Sequence, residues 1–164
     1  MPDKTLETAF HDTLKDIYYA ERQILKALPK MIRAAQAPAL KEGLTKHRLE
    51  TEGQVERLQQ VFEIIGKPAR GKTCPAIDGI LEEGAEAMEE YAGSPALDAT
   101  LAAGGQAVEH YEIARYGTLV TWAGVLGYGA AIPLLQQTLD EEKAADEALS
   151  TVAESVNQLA IAAE

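Results

Sequence analysis

Apolar residues along this chain recur at alternating three- and four-residue steps, the spacing of one face of an α-helix, in five stretches separated by helix-breaking residues. The first should run from about Lys4 to Ala35, with Phe10, Leu14, Ile17, Ile24 and Leu28 on one stripe and Glu21 in its middle. Pro29 should kink the end of that helix, because it has no N–H to offer the carbonyl of Leu25. A second helix should start near Pro38 and stop at Gly66, with Leu44, His47, Thr51, Gln54, Leu58 and Val61 on its stripe and Glu50 on the flank. The stretch from Gly66 to Pro75, with its Gly, Pro and three basic residues, reads as an exposed connection. A shorter acidic helix from Ala76 to Tyr91 has one modest apolar face and should cross the outside of the fold. Ser94 as N-cap and Pro95 in the first turn should open a fourth helix that reaches about Leu126 and turns Val108, Glu109, Glu112, Tyr116 and Leu119 inward. The last follows from about Ala131 with Leu135, Leu139, Glu142, Asp146 and Leu149 in heptad-like register.

Four long helices in two hairpins, joined by a long connection with its own short helix, predict an all-α fold with ferritin-like topology: a four-helix bundle with one crossover. A length of 164 residues suits one domain, residues 1–164, and the wealth of Ala, Leu, Glu and Gln agrees with helix. The net charge of −11, without a large Lys/Arg cluster, opposes nucleic acid or anionic membrane as a partner. Cys74 is the single cysteine, so no intrachain disulfide can form, and its loop position beside Pro75 suggests no nucleophile. Met1 leads directly into Asp3 and Lys4, and nowhere do about 18 uninterrupted apolar residues occur, so a cytoplasmic location is expected.

The chemistry lies in acids at core positions. An ionised carboxylate taken out of water costs several kcal/mol unless it is paired. Glu109 with Glu112, and Glu142 with Asp146, are pairs one turn apart that would repel each other in a dry core. Two cations reverse that sign. Each acid falls roughly halfway along its helix, as do Glu21 and Glu50, so inward carboxylates from four helices can box two divalent ions. Hard oxygen donors with few imidazoles suit iron or manganese. His47, three residues before Glu50, could ligate or hydrogen-bond a ligand. Tyr18 and Tyr116, each one turn from an acid, could sit beside the metals. His110 points roughly a hundred degrees away from Glu109, toward the surface or a dimer contact, and His11 should be solvated. The metal-free explanation pairs these acids with Arg22 and Arg115 in a buried ionic network.

The strings Ile17-Tyr18-Tyr19-Ala20-Glu21-Arg22-Gln23, His47-Arg48-Leu49-Glu50-Thr51 followed by Gln54 and Arg57-Leu58, Glu109-His110-Tyr111-Glu112, and Leu139-Asp140-Glu141-Glu142-Lys143 resemble the YciE/YciF family of ferritin-like bacterial proteins. That resemblance covers nearly the whole chain. It implies rubrerythrin-like architecture, association with stress responses and a homodimer, and it implies no settled activity. Carried across, it makes Glu21 and Glu50 the carboxylates of one half, Glu112 and Glu142 their counterparts, and Glu109 an additional ligand. The usual Glu-x-x-His is missing: His47 precedes Glu50, Gly53 stands where the later histidine would be, and Asp146 follows Glu142 by one turn. Two functions from different classes follow. One is a di-iron or dimanganese oxidoreductase that reduces peroxide or dioxygen. The other is a non-enzymatic dimeric stress protein that buffers metal or docks to a partner.

Overall fold

A computed structural model describes residues 4–163 as five α-helices, with no strand among the described residues. Helix α1 (Leu6–Ala34) opens on Thr5, whose hydroxyl accepts from the Thr8 N–H at 3.2 Å. It buries Phe10, Leu14, Ile17, Glu21, Ile24 and Leu28, the stripe read from the sequence. The helix continues through Pro29 to Ala34, with Leu28 and Met31 buried on either side of the proline.

Helix α2 (Pro38–Ile64) has no capping side chain of its own. Asp98, far along the chain, instead holds the link just before it: its two carboxylate oxygens take the N–H of Gln36 at 2.8 Å and of Ala37 at 2.6 Å. Gly66 follows the helix at a φ of 67°, a left-handed turn that suits glycine. The connection then crosses α1, where the Lys72 N–H reaches the Lys15 carbonyl at 3.1 Å. Helix α3 (Pro75–Glu90) buries Ile77 and lies on α1 and α4 from outside.

Helix α4 (Leu97–Leu126) corrects the expected start. Ser94 does not cap it; the Ser94 carbonyl accepts from the Leu97 N–H at 3.2 Å and its hydroxyl from the Ala96 N–H at 3.1 Å. These short-range bonds hold residues 94–96 as a separate turn before the helix. Helix α5 (Ile132–Ala162) completes the chain.

The four long helices close a ring of contacts, α1 to α2 to α5 to α4 and back to α1. Side-chain pairs fix the directions. Tyr18 meets Phe62 at 5.5 Å while the three-residue link 35–37 joins the other ends, so α1 and α2 are antiparallel. Phe10 meets Tyr128 at 5.3 Å while Asp98 holds Gln36, so α1 and α4 are antiparallel too. His110 bonds Asp146 at 3.1 Å, with Gly124 near Ile132, and Arg57 bonds Thr138 while His47 faces Glu142. All four neighbouring pairs therefore run antiparallel, and the connection bearing α3 spans the length of the helices. One end is filled by Phe10, Leu14, Phe62, Leu119 and Leu135, the other by Leu28, Leu40, Leu44, Leu101 and Leu149. Between these apolar layers lies a polar one.

The two N–H groups held by Asp98 would lose their charged acceptor in Asp98→Ala, which should lower stability by about 2 kcal/mol. Urea unfolding checks this; a change below about 0.5 kcal/mol would mean that the link 35–37 does not depend on it.

Candidate metal centre

The middle layer collects side chains from all four long helices. Glu21 comes from α1, His47 from α2, Glu109 and Glu112 from α4 and Glu142 from α5, and each is at least nine-tenths buried. One ligand atom each from His47, Glu109, Glu112 and Glu142 lies within 4.8 Å of the other three, the spacing of groups that could hold one metal ion. His47 Nδ1 is 3.3 Å from Glu109 Oε1 and 3.9 Å from Glu142 Oε2. Neither approach is aligned as a hydrogen bond, and both ring nitrogens are without a partner. Glu21 adjoins this group and accepts a hydrogen bond from the Tyr116 hydroxyl.

Nine buried nitrogen and oxygen atoms among the described residues make no hydrogen bond, and all belong to Glu21, His47, Gln54, Glu109, Glu112 and Glu142. Buried polar atoms are nearly always satisfied, so such a concentration demands a reason. Glu21 lies against Glu112, and Glu109 against Glu142, close enough to share a proton when one member is protonated. Two ionised carboxylates have no proton to share, which is why the same atoms are orphaned as anions. A cation or protons must enter.

The electrostatics agree. Burial pushes the Glu21 carboxyl up to about 8, the Glu142 charge adding to the effect, while Arg57 and the Tyr116 hydroxyl pull it down. Burial likewise raises Glu109 to about 7 and holds Glu112 and Glu142 well above the carboxylate range. His47 is driven down to about 4 by burial, so it is neutral at physiological pH and has a lone pair ready for a metal without first losing a proton. Four carboxyls and a neutral imidazole fit a hard divalent cation.

The structure does not bring Glu50 and Asp146 into this group. Glu50 is on the flank, with its side chain 21% exposed and paired to Lys46 at 3.2 Å. Asp146 accepts from Gln106 Nε2 at 3.3 Å and bonds exposed His110 at 3.1 Å. Tyr18 packs on Phe62 and accepts from Gln59 Nε2 at 3.3 Å, whereas Tyr116 is at the site. Arg22 and Arg115 do not pair with the buried acids; each guanidinium lies over a tyrosine ring, Tyr18 and Tyr111 respectively. Both start from flanks of their helices, and an aromatic face is nearer than the interior.

Sequence reasoning missed the clamp beside the centre. Arg57 Nε donates to Thr138 Oγ1 at 3.0 Å, its Nη2 pairs with Glu141, and Gln54 Nε2 donates to Glu141 Oε2 at 3.2 Å. The available signal was Thr138 and Glu141 one turn apart on α5, opposite Gln54 and Arg57 one turn apart on α2.

These shifts set a pH dependence for the metal-free protein. Glu21 and Glu109 hold protons in the folded state that the unfolded chain, titrating near 4.5, has lost. Their stabilising contribution is complete below about 4.5 and disappears as pH rises through 7 to 8. His47 acts in the opposite sense, but only between about 4 and 6.5. The melting temperature of metal-free protein should therefore fall from pH 6.5 to 8, and less steeply in Glu21→Gln; a flat or rising profile would contradict this assignment.

A family model described as a domain of unknown function, DUF892, matches residues 5–162. Protein YciF of Escherichia coli (strain K12) is 43% identical over 151 residues, 92% of this chain and 91% of the relative. The crystal structure of the E. coli stress protein YciF has a TM-score of 0.90 at 42% identity, covering 95% of this chain and 99% of that one. YcfI from Rhodopseudomonas palustris gives 0.88 at 51% identity, over 90% and 94% of the two chains. A protein from Xanthomonas campestris pv. campestris, at 20% identity and 0.73 over 93% of both, shares the fold. With a family match over almost its full length and this identity to YciF, the chain belongs to the DUF892 family, the YciE/YciF family whose motifs it carries.

Proposed function

We propose that this chain is a ferritin-like, stress-associated protein whose middle layer holds two divalent ions, iron or manganese. The single observation that carries the reading is the set of unpartnered atoms on five converging ligand side chains. Charge counting favours two ions over one. Glu21, Glu109, Glu112 and Glu142 carry four negative charges when ionised, and His47 is neutral, so one divalent ion would leave an uncompensated double charge in a buried layer. The antiparallel ring of four long helices with one lengthwise crossover supports the ferritin-like topology. The relative YciF is described as a stress protein, which supports the stress association.

Iron or manganese bound there would supply one electron per ion, the two needed to reduce a peroxide to water-level oxygen. The protein's own groups would orient and protonate. Tyr116 holds Glu21 by its hydroxyl, and the Arg57–Glu141 pair fixes the adjoining stretch of α5 against α2. Glu50, on the flank and paired to exposed Lys46, stands beside the layer as a further candidate carboxylate. Exposed apolar side chains such as Leu159 and Ile161 support self-association, with a homodimer as the form implied by the family resemblance.

The presence of only one imidazole at the centre favours a second reading, in which the bound ions stabilise or are buffered and no oxidant is reduced. Metal content after anaerobic loading with Fe(II) or Mn(II) and desalting tests the shared claim. About two ions per chain are expected, with loss in Glu142→Ala and retention in Glu82→Ala on the exposed face of α3. No retained metal would overturn both readings. Peroxide consumption by the Fe(II)-loaded protein, absent in Glu142→Ala, distinguishes oxidant reduction from metal buffering; a fully loaded, inert protein would leave only buffering.

A further inference from the structure

The α2–α5 interface is closed on one side of the metal centre and open on the other. Toward the end of α2 it is sealed by Arg57 with Glu141 and Thr138, and by Gln54 with Glu141. Toward the start of α2 the residues on the two helices are small: Ala39 and Gly43 on α2, Ala145 and Ala148 on α5. These line a cavity with about 60 Å³ open to the centre of a water molecule. Its walls are aliphatic, from Ile24, Leu28, Leu40, Leu44, Val108 and Leu149, and no Phe, Tyr or Trp lines it. Its polar lining comprises His47 and Glu109, which belong to the metal centre, together with the ion pair Lys46–Glu50.

We infer that this cavity binds a neutral aliphatic chain carrying one oxygen head group, with the chain among the leucines and the head against His47 and Glu109. His47 is 6% exposed and Glu109 2%, and both ring nitrogens and Glu109 Oε2 are unpartnered, so the inner end offers donors and acceptors that nothing in the chain uses. An aliphatic wall holds water poorly, and its replacement by methylene groups is favourable. At about 10–15 Å³ of such space per water, the volume accommodates about four waters, or a chain of about five carbons. An anionic head would lose its hydration in this buried end without gaining a counter-charge, because Lys46 is already paired to Glu50, which disfavours a free fatty acid and admits an alcohol or a hydroperoxide. Resting on the oxidant-reducing reading above, this makes alkyl hydroperoxides a substrate class for the centre: two electrons from the two ions and two protons would break the O–O bond and leave water and the alcohol, which the same cavity holds.

Gly43 supplies the handle for a test. It lies within α2 and lines the cavity, and a Cβ built on it meets nothing within 4 Å, so an alanine there is accommodated and a leucine starts from open space at the cavity wall. It also improves helix propensity. Metal-free protein is titrated calorimetrically with straight-chain alcohols from 1-propanol to 1-octanol, with hexanoate as the charged comparison. Affinity should rise about fourfold per methylene and level off when the cavity is full. Hexanoate should bind at least tenfold more weakly than 1-hexanol, and Gly43→Leu should weaken 1-hexanol at least tenfold while unfolding at or above the wild-type temperature. Gly43→Ala, which adds a single methyl, should lie between. Absence of chain-length dependence, or wild-type affinity in folded Gly43→Leu, would overturn the inference. Because metal is absent, this result is independent of turnover: alcohol binding by a protein that consumes no peroxide keeps the cavity and removes the redox reading, and peroxide consumption without alcohol binding does the reverse.

Discussion

Four carboxyl groups and one imidazole share a space from which water is excluded, and that constraint orders the rest of the molecule. Desolvating several ionised carboxylates costs several kcal/mol each, more than the whole of a small domain's stability can absorb. Protons satisfy the layer in the metal-free state, as the raised Glu21 and Glu109 carboxyls indicate, and divalent cations can satisfy it otherwise. Folding and any binding of a metal ion in this layer would therefore be linked through the same oxygen atoms.

The surroundings keep that layer from collapsing. Apolar layers on either side fix the spacing of the helices, while Tyr116 orients Glu21 and the Arg57 clamp holds α5 against α2 beside the layer. Asp98 ties the α1–α2 link to the start of α4, so the two hairpins are held together at a distance from the site. The same rigidity leaves a gap where glycine and alanine line α2 and α5, next to the inner acids.

Helical periodicity made the five elements and most buried faces legible, because each long stripe contains enough leucine and isoleucine to fix its phase. Glu21, Glu109, Glu112 and Glu142 were legible for the same reason: each interrupts a stripe whose phase its neighbours set. Glu50 and Asp146 show the limit of that reasoning. Each is within one turn of an inward residue, yet a rotation of tens of degrees takes Glu50 to Lys46 and Asp146 to His110. Arg57 was illegible because a long side chain can reach inward from a flank, and its partner Glu141 lies 84 residues away along the chain. Asp98 holding the link before a distant helix is equally a tertiary fact, and the start of α4 was misplaced because a serine–proline pair specifies a turn as readily as a helix N-terminus.

The central claim is that these particular oxygens and this imidazole are metal ligands. Anomalous X-ray scattering from crystals of the Mn(II)-loaded protein tests it most directly. Two peaks are expected in the middle layer, each within bonding distance of ligand atoms from Glu21, His47, Glu109, Glu112 or Glu142. Manganese found only on exposed acids such as those of α3, with the middle layer empty at full loading, would contradict it.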